Sequence, residues 1–430
     1  MKRAIIVGSG AGGAVMAKEL QGVFEVTVLE QGSQFQAFSY PMGLLSPVRR
    51  TGIFFDERLI QLAFPKMVVA RSSSGLLIVS GKGTGGTTTL SAGNAVRADN
   101  NLKRLGIDLG AEFKELAEEV PIYPSHRQNW RPLTRELYSI CERMGLHPEA
   151  LPKFIDPGKC VNCGLCVLGC KYNAKWDARQ FLHSALNEGA SLVTNCRVDR
   201  VVIERDRVTG VIASKGIAHV RQKSFYPADL VVLSAGGLGT PLILQNSGVA
   251  CKSGLFVDPV LCVAAEWENA LQNLEFSMPF AAFQENYFIA PYFDHLSFFF
   301  NKKWRKPGRN ILGIMIKLAD SVAGSSSGKR VMKELNVVDK ERLTEGVALC
   351  TEIFRQLGVP QERIFLGTLN SGHPGGMFPL TAAEKESFHH SALPSNLYIA
   401  DTTLLPGPFG MPPILTTMAL AKRIAKICRS

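Results

Sequence analysis

Apolar residues cluster at positions 2–7 and 24–30, separated by a glycine turn and a helix-like stretch that ends at Leu20. That pattern predicts a buried strand, a helix and a second strand within about 30 residues, the opening of a parallel α/β layer. Residues 40–80 are mixed, with a hairpin expected from 67–70 and 76–80. A Gly/Thr-rich loop follows at 81–93, then a helical, basic region at 100–150 and a helix at 181–188. Strands are expected at 191–194, 197–205 and 207–215. Another apolar strand, 229–234, runs into a helix ending at Gly248. Residues 251–320 are rich in Phe and alternate in places like strands, and 341–357 has the pattern of an amphipathic helix. Residues 396–430 read as a strand, a Pro/Gly loop and a helix. No internal repeat is present, and the stretch Gly324–Gly328 reads as a loop.

The first turn reads Gly8-Ser9-Gly10-Ala11-Gly12-Gly13, which satisfies G-x-G-x-x-G between a strand and a helix. Gly8 permits the tight turn, Gly10 lets backbone approach a pyrophosphate, and Gly13 permits close helix–strand packing. The helix N-terminus adds partial positive charge. Glu30 closes the second strand, 17 residues after Gly13. A carboxylate there accepts hydrogen bonds from an adenosine ribose and disfavours a 2′-phosphate, so the segment reads as a dinucleotide site.

Further segments carry a resemblance. Gly85-Gly86-Thr87-Thr88, with Asn94 and Arg97 beyond, resembles the second glycine loop of the glucose–methanol–choline (GMC) flavoprotein oxidoreductases. Residues 229–248, with Ala235-Gly236-Gly237, Thr240-Pro241 and Ser247-Gly248, resemble that family's returning strand and helix. Residues 396–425 resemble its C-terminal signature, with Asp401 and Thr416 in place. The resemblance is weakest over 40–80 and 250–340. It implies FAD, held by Gly8, Gly10, Ala11, Gly13, Glu30, Gly85, Gly86, Thr87, Asn94, Ala235, Gly236, Asp401, Thr402, Pro413 and Ile414. The implied fold is α/β: a discontinuous Rossmann-type FAD-binding domain (1–40, 81–120, 185–250 and 390–430) and an α+β substrate domain with an antiparallel sheet (251–389). A cysteine-rich insert (155–180) completes it.

The family's catalytic His precedes Pro and Gly, as His373 does in Ser371-Gly372-His373-Pro374-Gly375-Gly376. An imidazole there takes a hydroxyl proton as hydride leaves the carbon. His389 and His390 read as surface residues. The family's second active-site residue, Asn or His, has Pro412 in its register. Proline offers neither a side-chain donor nor an N–H, so Asn370 and Tyr398 are the substitutes considered.

Four of the ten cysteines, Cys160, Cys163, Cys166 and Cys170, are spaced C-x2-C-x2-C-x3-C. That spacing matches the bacterial ferredoxin run, except that Lys171 stands where Pro is usual and no second run exists. The expectation is one [4Fe–4S] cluster; zinc and metal-free cysteines are the alternatives. Lys159, Lys171 and Lys175 would offset thiolate charge and suit an acidic electron carrier.

Composition adds limits. Hydrophobic residues are 46% and charged residues 20%, the balance of a folded globular protein. Lys and Arg number 48 against 37 Asp and Glu, giving +11, yet no nucleic-acid motif accompanies the charge, so no nucleic acid partner is expected. No apolar run reaches the length of a spanning helix. The expectation is a cytoplasmic protein with at most peripheral membrane contact. The Phe-rich residues 275–300 suit either a lipophilic small-molecule substrate or a packed core. Together these readings give an FAD-dependent dehydrogenase with a cluster that passes electrons singly. A cluster-free oxidase using O2, a reductase of a double bond or ketone, and a non-catalytic redox sensor stand as alternatives.

Overall fold

Four successive buried side chains, Ala4 to Val7, make Lys2–Val7 a strand covered on both faces, as the centre of a parallel sheet requires. The computed structural model describes residues 1–38, 64, 66–124, 126–217, 220–327 and 330–430. Five parallel strands lie in the order Leu397–Ile399, Leu230–Leu233, Lys2–Val7, Phe24–Leu29 and Ser191–Val193. Helix Ala11–Glu19 packs against helices Arg179–Asn187 and Ile414–Arg429. Residues some four hundred positions apart thus share one core.

Among the described residues the second sheet has nine strands and is largely antiparallel. Its middle is Val260–Glu266, Ile311–Leu318 and Tyr287–Pro291. All eight residues of Ile311–Leu318 are buried, because helix Val337–Gln356 packs against that strand and its neighbours. The hairpin of Met67–Arg71 and Leu77–Gly81 joins this sheet through the two-residue strand Asn370–Ser371, which pairs in parallel with Leu77 and Ile78. A three-stranded sheet of Cys196–Glu204, Arg207–Ile217 and Val220–Pro227 lies beside helix Gly236–Asn246.

Some expectations change. Gly324–Ser327 is a strand paired with Arg330–Lys333, so its serines give backbone groups to a ladder; Gly328 lies outside the described residues. Phe298, Phe299 and Phe300 lie on helix His295–Phe300, capped by the Asp294 carboxylate, and not on a strand. The third strand of the small sheet, Val220–Pro227, was not anticipated. His389 and His390 are half-buried, with their rings against those of Tyr398 (edge-on) and Phe378 (tilted). Most of the mixed stretch 40–80, residues 40–63 and 65, lies outside the described residues. Among those described, no helix is long and apolar enough to cross a membrane.

Candidate functional site

The glycine segments converge. A continuous cavity of about 530 Å³ lies between the two large sheets. Gly8, Gly10, Ala11, Glu30, Gly86, Thr87, Asn94, Ala235, Gly236, Asp401, Thr402, Pro413 and Ile414 all line it. Gly13 and Gly85 do not. A Cβ on Gly13 would lie 2.0 Å from the Gly8 carbonyl oxygen, so it serves helix–strand contact. The Gly85 N–H instead donates to Ser9 Oγ at 3.2 Å. Arg97 turns aside to Asp99, and Thr416 bonds the backbone of Ala98.

Glu30 sits at the end of its strand, where its carboxylate accepts from Ser9 N–H (3.2 Å), Ser9 Oγ (2.7 Å) and Gly32 N–H (2.8 Å). Burial raises its pKa and these bonds oppose the rise. Oε2 takes two of these bonds and Oε1 one, so acceptor capacity for a ribose hydroxyl remains on Oε1. Asp401 ties the returning strand to its helix. It accepts from Gly236 N–H (2.8 Å), Thr240 Oγ1 (2.6 Å) and Thr403 N–H (2.8 Å). Gly237 meets the histidine loop so closely that a Cβ would stand 1.9 Å from the Pro374 oxygen. Any side chain there would push the loop out of place.

At the other end of the cavity, His373 follows the strand Asn370–Ser371. Ser371 Oγ accepts from His373 N–H at 3.3 Å and itself donates to the Val257 carbonyl, fixing the loop to the second sheet. His373 Nδ1 faces Asp258 Oδ2 at 3.7 Å, just beyond hydrogen-bond length. Gly410 N–H donates to the other oxygen of Asp258 at 3.1 Å. Burial drives the His373 pKa down to about 4; the charge of Lys317 adds to this and Asp258 opposes it. The imidazole is therefore neutral at neutral pH. With Asp258 on Nδ1, the proton belongs on that nitrogen, which leaves Nε2 as an acceptor.

Asn370 lines the cavity, with its amide donating to the Thr368 carbonyl at 2.9 Å. Tyr398 does not; it packs on His389. Pro412 also lines the cavity. Of the phenylalanines in the Phe-rich stretch, Phe299 and Phe300 reach the cavity, while Phe276, Phe280, Phe288, Phe293 and Phe298 are buried core and Phe283 is exposed. This end also carries Asp294 and His295. Burial raises the Asp294 carboxyl to about 6 and lowers the His295 imidazole to about 4.

The four clustered cysteines line a second, small space with Lys175 and Phe276. Lys175 N–H points at Cys170 Sγ at 3.5 Å, and Lys175 Nζ donates to the carbonyls of Thr88, Thr89, Ser91 and Cys166. That lysine fastens the cysteine loop to the second glycine loop, and Val167 and Leu168 line the larger cavity. Among the described residues no three His, Cys, Asp or Glu side chains stand close enough to hold a metal ion. Cys160, Cys163, Cys166 and Cys170 are thus brought to one space but not gathered as ligands, which departs from the expected metal site. All ten cysteines are free thiols.

The profile of the GMC oxidoreductases matches residues 3–260. The chain belongs to the GMC oxidoreductase family. An uncharacterized protein of Methanocaldococcus jannaschii is 26% identical over 426 residues, 98% of each chain. A long-chain-alcohol oxidase of Arabidopsis thaliana is 27% identical over 267 residues, 57% of this chain. This chain covers 34% of that plant relative. Pyridoxine 4-oxidase from Mesorbium loti shares the fold, with a TM-score of 0.74 at 15% identity over 99% of each chain. As a GMC oxidoreductase the chain is an FAD-dependent enzyme. Asp258, beside His373, and Lys317, which lines the cavity, were not singled out from the sequence. The signal was present: a lone lysine in the otherwise apolar run Ile311–Leu318.

Proposed function

We propose that the protein oxidises a CH–OH group, with His373 as the base that takes the hydroxyl proton. The neutral imidazole of His373, backed by Asp258 and opening on the cavity where the glycine segments meet, carries this reading. FAD fits those segments. The backbone turn at Gly10 has no atom within 4 Å of where a Cβ would be, and Oε1 of the buried Glu30 carboxylate keeps acceptor capacity. FAD, when bound, supplies the hydride acceptor. Glu30 would hold the adenosine ribose, Gly10 and Ala11 the pyrophosphate, and Gly86, Thr87, Asn94, Asp401, Thr402, Pro413 and Ile414 the remainder. We assign 1–40, 81–120, 185–250 and 390–430 to the FAD-binding unit and 251–389 to the substrate unit. Glu30→Ala should weaken FAD retention by about 1–3 kcal/mol, read by equilibrium dialysis of the flavin; retention equal to the wild type would remove the ribose contact.

A lipophilic alcohol is the substrate class we favour. Phe299, Phe300 and Met315 support it, as does the relative named a long-chain-alcohol oxidase. Asp294 and His295 add a polar patch that such a substrate must pass or use. We further propose that Cys160, Cys163, Cys166 and Cys170 would hold a [4Fe–4S] cluster, which, when bound, would supply single-electron exchange with an acidic carrier. Support comes from the ferredoxin-like spacing, the shared small space and the N–H directed at Cys170. The lack of a close ligand group among the described residues favours the second reading, a cluster-free oxidase that reduces O2. Iron and acid-labile sulfide, assayed with the visible spectrum of anaerobically purified protein, separate the two. About four of each per chain supports the dehydrogenase. Flavin bands without iron support the oxidase. In the first case Cys163→Ser should strip the iron while flavin stays bound.

A further inference from the structure

We propose that Lys317 is a catalytic residue: its ammonium donates to the substrate oxygen beside His373, filling the place left by Pro412. This rests on the reading of the cavity as a site of alcohol oxidation.

Five lysines are buried among the described residues: Lys153, Lys175, Lys317, Lys333 and Lys422. A buried ammonium has three N–H donors to satisfy, and burying it without acceptors is costly. Lys153 and Lys175 each donate to three or more oxygens of backbone and amide. Lys333 meets three carbonyls and the Asp320 carboxylate. Lys422 lies between Glu19 and Glu119. Lys317 differs. Among the described residues it makes one hydrogen bond, to the Asp258 carbonyl at 3.1 Å, and its nearest carboxylate oxygen is 3.8 Å away. It is also the one of the five that lines the large cavity, together with His373 and Asn370. Its spare donors and the bare Nε2 of His373 open on the same space, one offering hydrogen-bond donation and the other acceptance.

A hydroxyl suits that pair. Its proton passes to His373 Nε2, and negative charge gathers on the oxygen as that O–H bond breaks. The Lys317 ammonium offsets this charge without itself forming or breaking a covalent bond. Such a donor is worth most in a dry cavity, where charge is poorly screened. The strand places it there because Lys317 pairs with Val260 and Phe288 in the middle of the antiparallel sheet, so its backbone is held on both sides.

Octanoate serves as a probe, because its carboxylate presents a full negative charge on oxygen at the end of an apolar chain. Calorimetric titration of the purified holoprotein with octanoate should show binding to the wild type. Binding should weaken at least about tenfold in both Lys317→Met and Lys317→Gln. Lys317→Arg should retain it. The glutamine variant keeps a donor for the Asp258 carbonyl, so it guards against a loss that reflects folding alone. Undiminished binding in both neutral variants, or no binding to the wild type, would overturn the proposal. Turnover of 1-octanol by the wild type is measured in parallel. Octanoate binding that depends on Lys317 in a protein that oxidises no alcohol would sink the proposed reaction and leave the anion-binding role of Lys317 intact.

Discussion

His373→Ala should lower turnover by about 10²–10⁴-fold while FAD content stays at the wild-type level. The imidazole is a neutral base that faces the cavity with the Asp258 carboxylate behind it, and its removal takes away the acceptor for the hydroxyl proton. The loop is held by the Ser371 hydroxyl, which donates to the Val257 carbonyl, and by Thr402 Oγ1, which donates to the Pro374 carbonyl, so the fold of the flavin end should survive the change. The wild-type pH profile is the companion result. With its pKa held at about 4, His373 stays unprotonated across the neutral range. As pH falls through that value it takes a proton and stops acting as a base. The acid limb of kcat/KM should therefore lie well below the 6.5 of a free histidine. A limb at 6.5 would mean that solvent reaches the ring freely and that Lys317 does not bear on it.

Lys333→Met should destabilise the fold by about 3–5 kcal/mol, a large fraction of the roughly 5–15 kcal/mol that holds most domains together. Lys333 and Asp320 are fully buried and 2.7 Å apart. Asp320 also accepts from the backbone N–H of Val257 and Asp258, so it cannot turn away when its partner is gone. The loss carries a pH signature. Burial already raises the Asp320 pKa despite Lys333, and without the lysine it should rise further. The native variant then binds a proton that the unfolded chain has released, so stability falls as pH rises above the ordinary carboxylate range. Denaturant midpoints should show a larger deficit at pH 8 than at pH 5. A deficit independent of pH would mean that Asp320 is not left as an unpaired anion. Because Asp320 holds the backbone of Asp258, the same variant should also loosen the carboxylate behind His373.

Local pattern made the parallel sheet readable. Lys2–Val7, Phe24–Leu29 and Leu230–Leu233 are short, largely apolar runs with a glycine within three residues of their ends, and each lies where expected. Helix Val337–Gln356 starts four residues earlier than the periodicity suggests, because its Asn336–Asp339 capping box, not an apolar face, sets its first turn. The pairing of Gly324–Ser327 with Arg330–Lys333 was missed for the opposite reason: serine and glycine carry no strand signal, and the ladder is stabilised by tertiary context. Among site residues, those on glycine turns were legible because the turn itself constrains composition. Asp258 and Lys317 were not. They lie over 50 residues from His373 in sequence and meet it only through the pairing of Val260 with Asn370 and Lys317. Of the two substitutes considered for Pro412, Asn370 lines the cavity, whereas Tyr398 packs on His389 and does not.

The position of Leu397–Ile399 at one edge of the parallel sheet also sets a timetable during protein synthesis. Its neighbour, Leu230–Leu233, leaves the ribosome long before it. At about 5–20 residues per second, the intervening chain takes on the order of ten to thirty seconds to make. Throughout that interval the Val231–Leu233 edge is open, and Asp401, which ties Gly236 to Thr240, does not yet exist. The part of the cavity lining that Asp401, Thr402, Pro413 and Ile414 supply is therefore completed only after that strand is made. A ribosome stalled before codon 397 would release a chain with an uncovered apolar strand, the kind of product that chaperones and proteases must intercept.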